Sequence, residues 1–323
     1  MRQIQFHGPG APVDVVACVD TAEPSIERPS QVRVRIDLFP INPADLLTMQ
    51  GQYMRSDPQS PRVGVEATGL VTDVGAEVTD LEPGDRVVLL GTDLWSEFLV
   101  ADRRDVVHVA PQTPAEVAAT LKVNPATAWL LLSEFTLLEP GDWLVQNAAN
   151  SAVGTAVDRI ARDRGLHIVN LVRRPELLDE LHDRPTVLLD HEDIADRIAD
   201  ATGDNPVRLA LDAVMGESGS RLVSVVADHA PVVIYGAMSG TPLQVDPVAP
   251  VFRDVQVRGF WLTRWLRHAD IDQRTQLYQT LEKLTRELDL TPPVDAIVPA
   301  TDITAAVDRA IRTGATGKVL VRF

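Results

Sequence analysis

Cysteine and lysine are the residues that this sequence has least of. Cys18 is the single cysteine among 323 residues, which excludes an internal disulfide and a zinc site built on several thiolates. Lysine occurs only at positions 122, 283 and 318, so arginine supplies nearly all of the positive charge. The 30 basic side chains are outnumbered by 46 acidic ones, and a net charge of -16 repels a phosphate backbone. We therefore expect no nucleic-acid partner.

Long apolar runs are missing as well. No uncharged stretch reaches the roughly 18 residues that a membrane-spanning helix needs, and the start MRQIQFHGPG lacks the charged-then-apolar pattern of a signal peptide. The hydrophobic share of 45% and a mean hydropathy near zero are typical of a globular protein. We expect a cytoplasmic protein with no membrane partner.

The first third of the chain has the pattern of a β-rich module. Residues 32–38 alternate strictly between apolar and polar side chains, which predicts a half-buried strand. Pro83 and Gly84 form a turn signal that leads into an apolar run, and residues 95–100 predict a further strand. Short strands separated by glycine and proline favour a β-barrel-like module.

From Asp142 onwards, predicted strands alternate with predicted helices, which indicates a parallel, doubly wound sheet. The chain then ends in a polar helix over 271–288, a short helix from Ile303 and a strand over 318–322. The fold class is therefore α/β. We expect a first domain of residues 1–115 and 267–323, and a second domain of residues 116–266.

The segment 147–154 lies where a dinucleotide-binding fold has its glycine-rich turn. Laid over the pattern G-x-G-x-x-G, it retains only the third glycine, Gly154. Its small residues still allow a pyrophosphate to approach the backbone, and the following helix offers its positive N-terminal end. An ordinary turn between a strand and a helix is the alternative.

Arg173 and Arg174 stand at the end of the next predicted strand. An enzyme that prefers NADH has Asp or Glu there to bind the ribose 2′-hydroxyl. Arginine suits the 2′-phosphate of NADPH instead, although two arginines on a surface loop would look the same. The pair favours NADPH as the cofactor.

Several runs, found in the same order along the chain, resemble one known family. They are 41–46 with 50–53, 123–128, 146–154, 235–238 and 258–262. The chain resembles the medium-chain dehydrogenase/reductase superfamily and, within it, the mitochondrial-type 2-enoyl thioester reductases. This resemblance implies a GroES-like β-barrel catalytic domain and a Rossmann domain that binds NADPH. Zinc-dependent relatives have Gly-His-Glu where this chain has Gly64, Val65 and Glu66, so the resemblance implies a reductase without a metal.

The resemblance also implies roles for particular residues. Tyr53 would stabilise or protonate the enolate formed when NADPH delivers hydride to the β-carbon of an enoyl thioester. Asn42 would orient the same loop or the substrate, and Asp45 would cap a helix. The cofactor-binding residues would be Asn124, Thr127, Asn150, Ser151, Ala152, Val153, Gly154, Arg173, Arg174, Tyr235, Gly236, Ala237, Met238, Phe260, Trp261, Leu262 and Lys318.

The substrate has alternatives, because the chain departs from the family near the expected substrate site. The segment 91–94 is short, and residues 61–66 differ from the pattern of the enoyl reductases. A metal-free quinone or enone reductase is therefore the second hypothesis, and a catalytically silent NADPH-binding sensor is the third. Coenzyme A would need a local positive site, for which the candidates are Arg253, Arg258, Arg264 and Arg267. The resemblance further implies a homodimer.

Overall fold

The computed structural model describes residues 1–54, 57, 59–312 and 317–323, and the chain divides into two units. The first unit comprises Met1–Val123 and Ala269–Phe323, and the second comprises Asn124–His268. The strands are β1 (Arg2–Phe6), β2 (Val16–Asp20), β3 (Gln31–Pro40), β4 (Ala67–Val74), β5 (Arg86–Leu89), β6 (Phe98–Asp102), β7 (Val106–His108), β8 (Trp143–Gln146), β9 (His167–Val172), β10 (Val187–Leu189), β11 (Val207–Asp212), β12 (Pro231–Ile234), β13 (Gln256–Gly259), β14 (Val294–Pro299) and β15 (Lys318–Arg322).

Each helix likewise lies within one of the two units. They are α1 (Pro12–Val15), α2 (Pro43–Met49), α3 (Ala115–Ala119), α4 (Asn124–Leu131), α5 (Ala152–Asp163), α6 (Glu176–Glu180), α7 (Ile194–Thr202), α8 (Gly216–Val225), α9 (Val248–Phe252), α10 (Leu262–His268), α11 (Ile271–Leu288) and α12 (Ile303–Ile311). Short 3-10 helices span Arg103–Asp105 and Ala300–Asp302.

Strand β3 is central to the larger sheet of the first unit, whose order is β14-β15-β3-β4-β5-β7, with β6 also paired to β3. The predicted alternation is confirmed, because Val32, Val34 and Ile36 are buried while the residues between them are less so. Strand β15 pairs antiparallel with β3, so the end of the chain lies in this unit. Strand bounds differ from the prediction at several places. Trp95 is a fully buried residue stacked on Phe39, and the strand β6 begins three residues later.

Helix α3 belongs to the first unit. Its Ala119 is fully buried in a cluster with Leu38 of β3 and Leu320 of β15. The predicted domain junction at residues 115/116 lies at the start of this helix, whereas the structure divides after Val123. A change in sequence pattern marks where a helix begins, and only packing decides which unit the helix joins.

The second unit contains a parallel sheet with the strand order β10-β9-β8-β11-β12-β13. The predicted strands β8 to β12 are confirmed, and this order is that of a doubly wound dinucleotide-binding fold. All of these strands run the same way, so their carboxyl ends lie along one edge of the sheet. Strand β13 was not predicted, because its four residues are all exposed and show no apolar alternation.

No helix in the described part of the chain combines the length and the apolar character needed to cross a membrane.

Candidate catalytic and cofactor sites

Helix α2 separates the two predicted catalytic residues of the first unit. Asn42 is its N-cap residue, and the prediction that Asp45 is the cap is wrong by three residues. Asp45 instead completes a capping box, in which its carboxylate accepts the backbone N–H of Asn42 at 2.8 Å. Tyr53 follows the end of the helix, beyond a turn that Gly51 makes with a φ of +73°. Tyr53 is a half-buried residue of this loop.

The side chain of Asn42 is enclosed by protein and only 2% exposed. Its Nδ2 donates to Glu66 Oε2 at 3.1 Å, and its Oδ1 accepts from Lys318 Nζ. Both ends of the amide are therefore held by neighbouring side chains, which favours a role in positioning the loop over direct binding of substrate. Lys318, predicted to bind the cofactor, uses one of its three donors on Asn42.

Buried charges surround this amide. The carboxylate of Asp45 is 0% exposed and accepts the N–H of Val65 at 2.9 Å, while Glu66, also 0% exposed, accepts the N–H of Val123 at 2.8 Å. Burial raises the pKa of Asp45 to about 7 and raises the pKa of Glu66 as well, although Lys318 opposes both shifts. Sequence reasoning used Glu66 only as part of the run 64–66 and gave it no role, because its partners Asn42 and Val123 lie far away in the chain.

Two lysines balance the two carboxylates. Lys122 donates to the carbonyl oxygens of Val65 and Gly91, and burial lowers its pKa to about 8. Burial also lowers the pKa of Lys318. Two of the three lysines of the chain thus lie near these two carboxylates. Buried polar groups are tolerated when hydrogen bonds satisfy them, and the bonds of these four side chains to Asn42 and to the backbone hold the surrounding segments together.

The position that carries a histidine ligand in zinc-dependent relatives is used here for structure. Val65 donates its N–H to Asp45 and accepts from Lys122 through its carbonyl oxygen. The preceding Gly64 has a φ of +118°, and a Cβ atom there would lie 2.3 Å from the Trp95 ring. Among the described residues, no group of three or more His, Cys, Asp or Glu side chains is placed to hold a metal ion.

The three tyrosines of the chain lie in different environments. Tyr278 is 0% exposed, donates to the Lys122 carbonyl oxygen at 3.1 Å, and has a pKa raised well above its usual value by burial. The pKa of Tyr235 is raised by burial and by the nearby charge of Asp212. Tyr53 instead lies on the half-buried loop that follows α2.

The predicted phosphate-binding turn lies at the carboxyl end of β8 and leads into α5. Ser151 is the N-cap, and its hydroxyl accepts the N–H of Gly154 at 3.0 Å. A Cβ atom at Gly154 would lie 2.7 Å from the carbonyl oxygens of both Ala148 and Ala149, so only glycine permits this close packing. Asn150 is exposed, and Ala152 and Val153 are half-buried at the helix start. The turn therefore fits a dinucleotide pyrophosphate, with the backbone accessible and a helix N-terminus behind it.

Arg173 and Arg174 follow β9 directly, beside this turn, because β8 and β9 are parallel neighbours. Arg173 is exposed, and Arg174 lies 3.8 Å from the exposed carboxylate of Glu176. An exposed ion pair of this kind is weak, so it leaves the guanidinium available to a phosphate.

The remaining predicted cofactor residues fall in two places within the second unit. Tyr235, Gly236, Ala237 and Met238 follow β12, and Phe260, Trp261 and Leu262 follow β13, at the same sheet edge as the turn. Asn124 and Thr127 lie on α4, which packs against α5. The Nδ2 of Asn124 is buried and has no hydrogen-bond partner in the described part of the chain. Such an orphaned donor fits a ligand that accepts a hydrogen bond.

The arginines proposed to meet coenzyme A have other contacts. Arg253 donates to Asp228 Oδ1 at 2.9 Å and to two carbonyl oxygens near the end of α8. The guanidinium of Arg258 lies over the ring of Phe135, 4.8 Å from its centroid, and that of Arg267 lies 5.3 Å from the Trp261 centroid. These contacts do not support a free cationic patch for a phosphorylated substrate.

A polar network beneath the turn was also missed. Gln146 and Asn170 are register partners on β8 and β9, and Gln146 Nε2 donates to Asn170 Oδ1 at 2.7 Å. Asn170 in turn donates to the buried carboxylate of Asp158 on α5 at 2.9 Å. Polar side chains at matching positions of two apolar strands were the available signal in the sequence, but the partners of Asp158 are set by packing.

Two families of known proteins match parts of this chain. Residues 28–111 match the alcohol dehydrogenase GroES-like domain, and residues 152–283 match the zinc-binding dehydrogenase family. The human mitochondrial enoyl-[acyl-carrier-protein] reductase is 35% identical over 97% of this chain and 86% of its own length.

Solved structures show the same fold. The complex of Etr1p from Candida tropicalis with NADP and crotonyl-CoA has a TM-score of 0.85 at 22% identity, and covers 100% of this chain and 99% of its own. The Escherichia coli quinone oxidoreductase complexed with NADPH has a TM-score of 0.87 at 21% identity, with 100% of both chains covered. At these identities the likeness concerns the fold.

The curated relatives also correct one expectation. Those from human, rat and mouse are named mitochondrial, and they match nearly the whole of this chain. The prediction of a cytoplasmic protein, which depended on the pattern of the first residues, is therefore wrong.

Proposed function

Because this chain belongs to the enoyl-[acyl-carrier-protein] reductase family of the medium-chain dehydrogenase/reductase superfamily, we propose that it reduces the C=C bond of a 2-enoyl thioester with NADPH. The observation that carries the proposal is the sheet edge of the second unit. There the capped turn before α5 and the pair Arg173 and Arg174 follow neighbouring parallel strands. The turn suits a pyrophosphate, and adjacent arginines suit a 2′-phosphate.

The chemistry needs one hydride and one proton for each double bond. When bound, NADPH would supply the hydride to the β-carbon of the substrate. As the C=C electron pair shifts towards the thioester, negative charge would develop on the carbonyl oxygen of an enolate. Tyr53 would either donate a hydrogen bond to that oxygen while a water molecule protonates the α-carbon, or transfer its own proton to the α-carbon and regain one from solvent. A neutral donor suffices, because the enolate charge is already delocalised.

Asn42 acts on this chemistry through the position of Tyr53. The amide of Asn42 is held by Glu66 and Lys318, and it caps the helix whose other end leads to Tyr53. We therefore assign Asn42 as a positioning residue, which narrows its predicted catalytic role.

A substrate panel tests the proposed reaction. With crotonyl-CoA as substrate, the protein should consume NADPH, seen as loss of its absorbance, and should release butyryl-CoA. Turnover of benzoquinone or a simple enone, without any turnover of enoyl thioesters, would contradict the thioester assignment.

A metal-free quinone or enone reductase is the second candidate function. The contacts of Arg253 with Asp228 and of Arg258 with Phe135 favour it, since they leave less positive charge free for coenzyme A. Binding of NADPH without turnover of any of the three substrate classes would instead support the silent sensor.

Cofactor preference has its own test. Replacing Arg173 and Arg174 together by alanine should raise the Kd for NADPH on the order of tenfold to a hundredfold and change that for NADH little, because only NADPH carries the 2′-phosphate. Fluorescence titration with both nucleotides measures the ratio of the Kd for NADPH to the Kd for NADH. An equal effect on NADPH and NADH would remove the arginine pair from 2′-phosphate recognition.

We propose that two copies associate through strand β13. This strand is the edge of the parallel sheet, and its backbone is unpaired on one side within the described chain. Nearby lie exposed apolar side chains, among them Val251, Phe252 and Val257, at 67%, 80% and 40% exposure. An apolar edge strand is suited to pairing with a second copy of itself.

A further inference from the structure

We infer that Arg184 is a positioning residue for the cofactor, because it fixes the orientation of the peptide bond between Ala149 and Asn150 in the phosphate-binding turn. The inference rests on the proposed binding of NADPH. Arg184 lies between α6 and β10, outside every motif that pointed to the cofactor, and its side chain is only 5% exposed.

The contacts of this guanidinium lead to the turn. One nitrogen, Nη1, donates to the carbonyl oxygen of Ala149 at 2.7 Å, and Nη2 donates to the hydroxyl of Thr155, in the first turn of α5, at 3.0 Å. The third nitrogen, Nε, lies 3.9 Å from the buried carboxylate of Asp158. Arg184 therefore joins the turn, the start of the helix and the polar network beneath them.

The hydrogen bond from Arg184 to Ala149 also sets the direction of the N–H of Asn150. In a planar trans peptide, the C=O of one residue and the N–H of the next point in opposite directions. Because Arg184 holds the C=O of Ala149 towards the buried side, the N–H of Asn150 must point away from it. No described residue accepts that N–H, and Asn150 is exposed. A free, outward-pointing backbone N–H at a helix start is the group that binds a phosphate oxygen.

The local backbone explains why such a clamp is useful. Ala148 has a φ of +47°, a left-handed conformation that costs about 1 kcal/mol or more for a residue other than glycine. Glycine would adopt this conformation without strain. If the peptide between Ala149 and Asn150 rotated, the carbonyl oxygen of Ala149 would point outwards in place of the N–H of Asn150. That oxygen would repel an anion. The guanidinium opposes this rotation with a charge-assisted hydrogen bond.

A role in stability alone would be a weaker explanation. Burying a guanidinium costs desolvation energy, and burial indeed lowers the pKa of Arg184. Asp158 already has a second cation, because Arg162 Nη2 lies 2.8 Å from its Oδ2. The surrounding segment is also held by an apolar cluster that includes Ala149, Val172 and Leu177. Arg184 adds to these contacts a hydrogen bond to the carbonyl oxygen of Ala149 in the turn.

The test compares nucleotide binding with thermal stability. Arg184→Met keeps the aliphatic stem and removes the guanidinium with its hydrogen bonds to Ala149 and Thr155, so the Kd values for NADPH and NADH should both rise about tenfold, with their ratio unchanged. Arg162→Met is the matched control, since it removes the other cation of Asp158 and leaves the turn untouched. Its Kd values should equal those of the wild type, even if its melting temperature falls.

Two milder variants keep the test decisive if Arg184→Met does not fold. Arg184→Lys retains one donor for the carbonyl, and Thr155→Val removes the hydroxyl that orients the guanidinium. Both should bind the two nucleotides about threefold more weakly. Wild-type Kd values in these folded variants would overturn the inference, whatever happens to stability. If the wild-type protein bound neither nucleotide, the proposed cofactor itself would be rejected, and this inference with it.

Discussion

The phenol of Tyr53 is the single group on which the proposed chemistry depends most. Replacing Tyr53 by phenylalanine removes only the hydroxyl, so turnover of an enoyl thioester should fall on the order of 10²–10³-fold. The KM for NADPH should stay nearly unchanged, because the substitution removes a group that acts on the substrate and leaves the proposed phosphate-binding turn intact. Steady-state kinetics with NADPH and crotonyl-CoA measure both quantities.

Tyr278→Phe provides the matched control for this substitution. It deletes the same atom at a buried site, where the hydroxyl donates to the carbonyl oxygen of Lys122. That variant should lose about 1 kcal/mol of unfolding free energy and keep its turnover. Full activity in Tyr53→Phe would exclude the phenol from the reaction. A loss of turnover is expected for Tyr53→Phe and not for Tyr278→Phe.

Among single residues, those whose role is local could be predicted from the sequence. Gly154 and Ser151 stand at fixed places in a strand–turn–helix pattern, and the structure places them where that pattern requires. Glu66 and Arg184 could not be found in this way. Their partners, Val123 and Ala149, are distant in the chain, and Arg184 belongs to no motif.

At the level of the element, β13 shows how an edge strand differs from a buried one. If it forms the proposed interface, the double substitution Phe252→Asp and Val257→Asp should convert a dimer into a monomer, because buried like charges would face each other across the twofold axis. Size-exclusion chromatography with light scattering measures the mass. Leu137→Lys, which changes another exposed apolar residue of the same unit, should leave the dimer intact. A wild-type protein that elutes as a monomer would contradict the proposal.

Helix α11 and strand β13 also show which elements a sequence can specify. The bounds of α11 were predicted correctly at 271–288, since its capping box between Asp270 and Gln273 is a local signal. Strand β13 was missed because its strand character depends on pairing with β12, which comes from another part of the chain. Local capping can be recognised in a sequence, whereas pairing between distant segments cannot.

At the level of the whole molecule, the buried charges of the first unit should make stability depend on pH. The pKa of Asp45 is raised from 3.8 to about 7 in the folded protein, so the folded state holds this proton more tightly than the unfolded chain. The stabilising contribution is therefore complete at low pH and is lost as the pH rises from about 4 to about 7. The pKa of Lys122 is lowered from 10.5 to about 8, so its contribution has the opposite sign and is regained only above about pH 8.

Urea unfolding of the wild type and of Asp45→Asn tests this prediction. Between about pH 5 and about pH 7, the wild type should lose unfolding free energy relative to the variant, by an amount on the order of 1–3 kcal/mol. The asparagine cannot titrate, so it removes this one contribution. Parallel pH profiles for the two proteins would show that Asp45 does not take up a proton in this range.

The sequence by itself determined the α/β class, the order of a β-rich first unit and a nucleotide-binding second unit, and the turn at 147–154. These depend on the alternation of apolar residues and on short motifs, which are local properties of the chain. It also led to wrong expectations, among them the cytoplasmic location, which depended on composition and on the pattern of the first residues.

Only the tertiary structure decided which charges are buried and what they hold. The scarcity of lysine, a matter of composition at first, acquires a role when Lys122 and Lys318 are found beside Asp45 and Glu66 within one unit. The abundant arginine likewise includes Arg184, whose contact with the turn no motif reveals. Burial and pairing depend on segments that are distant in the chain and meet only on folding. For this reason the sequence could predict the cofactor turn but not the side chain that holds it in shape.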